Sequence, residues 1–92
     1  MSASSESPSG CRVSVVLPED LHARPAGRIA TAAARFTGVV RIEHEGRSAS
    51  ATSVLALMAL GARAGSSVHL VAEGPDATEA TEALSEILTT TP

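Results

Sequence analysis

The spacing of apolar residues along this chain switches between every second position and every third or fourth, and that switching constrains its fold more than any other feature. Val13, Val15 and Leu17 alternate with Arg12, Ser14 and Val16 as a strand with one buried face, which Pro18 ends. Ala26, Ile29, Ala30 and Ala33 then follow helical spacing, and Phe36 continues the stripe to Gly38. Alternation returns at Val40 and Ile42. Glu45-Gly46 turns the chain into a short segment, Arg47 to Ala51, read as the second arm of a hairpin. Ser53 is placed to cap a brief helix through Leu60, closed by Gly61. Val68, Leu70 and Ala72 form a fourth alternating run, and after Gly74-Pro75-Asp76 the residues Ala80, Leu84, Ile87 and Leu88 mark one face of a last helix.

The order read is βαββαβα. Hairpin and helical connections both occur and the strands carry a polar face, so the expected fold is of the α/β (α+β) kind: a four-stranded antiparallel sheet covered on one face by three helices. Ninety-two residues suit one domain, and 43% apolar content fills a modest core. Residues 1–10 are small, polar and broken by Pro8 and Gly10, which predicts a disordered extension with the domain spanning 11–92.

Seven arginines against ten carboxylates give a net charge of −3, and Phe36 is the sole aromatic. That balance argues against a nucleic-acid surface and against base stacking. No run reaches the roughly 20 apolar residues that span a bilayer, and the first ten residues lack the pattern of a secretory leader. Cys11 is alone, so no internal disulfide forms, and the simplest expectation is a cytoplasmic protein without membrane insertion. His44 and His69 are spaced for neither a metal nor a triad and read as surface residues; no metal and no cofactor is expected.

The chemistry concentrates in Leu21-His22-Ala23-Arg24-Pro25-Ala26. Pro25 marks the opening turn of a helix, where a missing N–H costs nothing, so His22 falls at or beside the N-cap. A helix start offers free N–H groups and the positive end of the macrodipole, and Arg24 adds a permanent charge whose fork matches phosphate oxygens. A neutral imidazole is nucleophilic near neutral pH, which suits covalent carriage of a phosphoryl group. A loop histidine beside an arginine alone describes many solvated pairs; the strand, loop and helix around this one set it apart.

LHARPA resembles the active-site segment of the HPr phosphocarriers of the bacterial sugar phosphotransferase system, and GRSASATS followed by VLALMALGARAGSSVHLVAEG resembles that family's second block. The resemblance runs from about Cys11 to Leu88 and implies the open-faced β-sandwich. It implies that enzyme I phosphorylates His22, that Arg24 contacts the phosphoryl group, that IIA-type domains accept it, and that Ser53 matches the serine a regulatory kinase modifies in some members. A stoichiometric carrier rather than an enzyme is implied, expected as a monomer. The same motif fits a nitrogen-regulatory circuit or the phosphoryl supply of dihydroxyacetone kinase. A regulatory module acting by contact, with His22 idle, is the alternative of another class.

Two features depart from the family pattern. Asp20, preceded by Glu19, stands where a glycine is usual, so two carboxylates flank the phosphoryl position and slower or weaker phosphorylation is expected. Asp tolerates positive φ, which would preserve the loop, and a nearby carboxylate would instead orient the imidazole. Lysines that surround the site in relatives are missing, leaving Arg24, Arg28 and Arg47 as candidate docking cations, while Thr52 and Ala56 occupy places often basic. Val54, Leu55 and Met58 fall away from Leu57 and Leu60 and form a candidate apolar docking face, although their pattern equally fits buried core. Ser53 is explained by helix capping as well as by modification.

Overall fold

The computed structural model describes residues 10–90; the expected disordered leader falls on residues outside that range except at Gly10. Seven elements follow the anticipated order: β1 (Gly10–Val16), α1 (Ala23–Ala33), β2 (Val40–His44), β3 (Arg47–Ser50), α2 (Val54–Ala59), β4 (Ser67–Glu73) and α3 (Ala77–Thr89). The strands form one sheet in the order β1-β4-β2-β3, with every neighbouring pair antiparallel.

Register aligns the inner faces. Val13 sits opposite Leu70, which sits opposite Ile42, which in turn faces Ala49. Val15 and Val68 make the next row, and Ile42, Val68 and Leu70 are fully buried. The opposite face carries Arg12, Ser14, Arg41, Glu43, Ser48 and His69, and it stays open because the helices contribute their apolar stripes to the other side. Ala26, Ile29 and Ala33 from α1, Leu57 from α2, and Ala77, Ala80, Leu84 and Leu88 from α3 complete the core. The many alanines let the helix axes approach the sheet closely.

Glu45 and Gly46 both adopt positive φ, 49° and 81°, as a two-residue primed hairpin turn requires. Gly38 is needed for a different reason: a methyl group there would lie 1.6 Å from the Glu73 carbonyl oxygen. Asp76 fastens the same junction, accepting from the Thr37 N–H at 3.3 Å.

The structure alters three expectations. The helix α1 stops at Ala33 rather than reaching Gly38, because Arg35 and Phe36 donate to carbonyls three residues back and tighten the chain toward β2; Phe36 still packs half-buried on the core. His44 is not a surface residue. It continues the inward register of Val40 and Ile42, is 8% exposed, and its Nδ1 lies 3.4 Å from the Ser67 carbonyl. Val54 packs half-buried against the core and does not belong to the exposed face with Leu55.

Candidate functional site

His22 is the N-cap of α1, in extended conformation with φ −97° and ψ −164°. Its own N–H donates to the Asp20 carbonyl at 2.9 Å and its carbonyl accepts the Ala26 N–H at 3.0 Å, so the backbone is fixed on both sides while the side chain makes no capping bond. Pro25 is the third helical residue. The first N–H groups of a helix have no partner within it, and Pro25 removes one of them, leaving those of Ala23 and Arg24 without an acceptor among the described residues. The ring, these N–H groups and residue Arg24 thus belong to one helix end, with no acidic residue in the first turn.

The loop before α1 is tied to the loop after α2. Leu17 and Ser66 share a backbone bond of 2.9 Å, Gly65 donates back to Leu17 at 2.8 Å, and Leu21 donates to Ala62 at 3.0 Å. Asp20 adds a fourth tie: its Oδ1 accepts the Ala64 N–H at 2.9 Å. This corrects one reading of Asp20. Among the described residues Glu45 is the only non-glycine with positive φ, so Asp20 keeps the loop by a long-range hydrogen bond rather than by its backbone conformation. Glu19 is the carboxylate beside His22, with Oε1 at 3.9 Å from Nε2.

Of the candidate docking residues, Leu55 is 80% exposed and Met58 40% exposed, three positions apart on one face of α2. Met58 lines the open hollow that contains His22, so the apolar face reaches the histidine. Ser53 caps α2, its Oγ accepting the Ala56 N–H at 3.2 Å. Arg28 shares a shallow groove with Arg24 and Arg35 along α1. Arg47 is a correction: it donates to the Ala59 carbonyl at 3.2 Å and closes the C-terminal end of α2 instead of joining the site.

Sequence reasoning missed Arg35, which extends the α1 groove, and Arg63, which lines the hollow with His22. Helical spacing from Arg24 and Arg28 was a signal for Arg35. No local pattern announces Arg63. The described residues hold no group of three or more metal-binding side chains, and no helix among them is long and apolar enough to cross a membrane.

The family model for the phosphotransferase HPr component phosphorylation site matches residues 10–90. An HPr-like protein Crh from Halalkalibacterium halodurans is 42% identical over 73 residues, covering 79% of this chain and 87% of that protein. The phosphocarrier protein HPr of Buchnera aphidicola is 38% identical over 78 residues, covering 85% and 92%. The crystal structure of the phosphocarrier HPr from Bacillus anthracis superposes with a TM-score of 0.82 at 33% identity, covering 87% of this chain and 98% of that one. The four-stranded open-faced sandwich defines the fold class of these proteins, and the chain belongs to the HPr family of phosphocarriers.

Proposed function

We propose that enzyme I, charged from phosphoenolpyruvate, phosphorylates His22, and that the group then passes to a IIA-type domain of the phosphotransferase system. The observation that carries this reading is the placement of His22 at the N-cap of α1, with two free N–H groups and Arg24 around it. Glu19 Oε1 lies 3.9 Å from Nε2, and Nδ1, the ring nitrogen not in that contact, is taken as the nucleophile. Nδ1 attacks phosphorus, an N–P bond forms as the donor's bond to phosphorus breaks, and the ring proton stays on Nε2. The helix end and Arg24 hold the resulting dianion by charge-assisted bonds without neutralising it, so the bond remains transferable. The protein is a substrate and intermediate rather than a catalyst, working in the cytoplasm where donor and acceptor meet.

Partners dock on Arg24 and Arg28 of α1 and on the exposed Leu55 and Met58 of α2, of which Met58 shares the hollow of His22. Incubation with phosphoenolpyruvate and a cognate enzyme I is expected to add one acid-labile phosphate that His22→Ala abolishes. An unchanged mass in the wild-type protein overturns the reading.

The exposure of Leu55 favours one further role, a regulatory contact made by the α2 face with Ser53 as its switch. Phosphate on Ser53 would sit at a helix start yet bring negative charge beside Leu55, which hinders an acidic partner. In that role Leu55→Arg destroys the biological effect and His22→Ala spares it, whereas carriage requires both residues.

A further inference from the structure

The seven arginines divide into two groups. Arg12 and Arg41 pair with Glu43, Arg41 also lies 3.9 Å from Glu73, and Arg47 is engaged with α2. Arg24, Arg28, Arg35 and Arg63 make no ion pair or side-chain hydrogen bond among the described residues. Arg24 and Arg28 lie on α1 and Arg35 just past its end; Arg63 stands apart, in the loop between α2 and β4.

Its position is held to the histidine loop from both neighbours. The Ala62 carbonyl, one residue before, accepts from Leu21, and the Ala64 N–H, one residue after, donates to Asp20. The Arg63 N–H itself donates to Ser66 Oγ at 3.2 Å. Only the side chain is left free to move. Arg63 lines the same open hollow as His22, Asp20 and Met58, whereas Arg24 lines the separate groove along α1.

We propose that Arg63 is a second ligand of the phosphoryl group carried by His22, closing on it across the hollow. The inference rests on the carrier reading and extends it. A phosphoryl group offers three oxygens, and the free N–H groups and Arg24 serve one side of them; Glu19 presents a carboxylate 3.9 Å from Nε2. A second planar donor fork takes the remaining oxygen and offsets the charge of Glu19. Asp20 then has a role despite its sign. Consumed by the Ala64 N–H, it anchors the loop that presents Arg63.

The test loads the protein with phosphoramidate, which transfers its phosphoryl group to an imidazole and releases ammonia, so no partner protein is needed. The adduct on His22 is assigned by its absence from His22→Ala, and the ionisation of its phosphoryl group is followed by phosphorus NMR against pH. Loss of a facing cation disfavours the dianion, so Arg63→Ala is expected to raise that midpoint by about one unit. Arg63→Lys retains most of the wild-type value, and Glu19→Gln lowers the midpoint. Equal midpoints in wild type and Arg63→Ala overturn the proposal, as does absence of any adduct on His22. Transfer from enzyme I to the wild-type protein is scored separately: its failure alongside a shifted midpoint removes the carrier reading and leaves the Arg63 contact standing.

Discussion

One carboxylate oxygen of Asp20 joins two loops that are 44 residues apart in the chain, and the imidazole of His22 sits on that joint. Removing the acceptor in Asp20→Ala leaves the Ala64 N–H without its partner, at a cost of about 1 kcal/mol for an exposed site. Urea denaturation is expected to show that loss, and the Ala64 amide to exchange faster with solvent than in wild type. Unchanged exchange at Ala64 refutes the tie. A second residue-scale expectation concerns acid. The hydrogen bond from Arg12 holds the Glu43 carboxyl below its ordinary value of 4.5, with burial opposing and Arg41 assisting. A depressed folded-state value stabilises above the ordinary carboxylate range and is lost as pH falls through the lowered value. The Tm difference between wild type and Glu43→Gln should therefore shrink on acidification below about pH 4.5. A constant difference from neutral to strongly acidic pH contradicts it.

At the scale of elements, α2 is six residues long and too short to stand without its cap and its packing on α1 and β3. Ser53→Ala removes the acceptor of the Ala56 N–H and should cost about 1 kcal/mol, with faster exchange at Ala56. Ser53→Asp keeps an acceptor and should restore slow exchange; equal exchange in all three proteins excludes the cap. The order of the seven elements was legible because alternation and helical spacing are local, whereas in α2 the spacing left open whether Leu55 is exposed, which the structure decides. His22 at the N-cap was legible for the same reason, since Pro25 marks the helix start. The end of α1 was not legible: the apolar spacing runs on to Phe36, and only the need to enter β2 tightens the chain there. His44 was misread because a strand end gives no sign of whether the register continues inward. Asp20 and Arg63 were opaque in another way, since backbone bonds decide which loops meet and side-chain periodicity does not record them.

Across the whole molecule, charge is segregated although the net value is −3. Glu79, Glu82 and Glu86 are exposed on α3, whereas Arg24 and Arg28 on the first turns of α1 and Arg63 in the hollow of His22 make no ion pair among the described residues. Such a molecule presents a positive pole to an acidic partner despite being an anion, and orientation during encounter follows from that polarity. Arg28 tests it best, because it lies one turn beyond Arg24 and reversing its sign alters the approaching partner's field while the phosphoryl ligands stay in place. Screening acts over about 10 Å at 0.1 M salt, so Arg28→Glu is expected to slow phosphoryl transfer between proteins several-fold in dilute buffer and by much less at about 1 M. Hydrolysis of the phosphorylated histidine in the absence of a partner should be the same in both proteins at each salt concentration. A defect in transfer that persists undiminished in high salt means that Arg28 makes a specific contact, and the polarity of the molecule then has no part in choosing its partner.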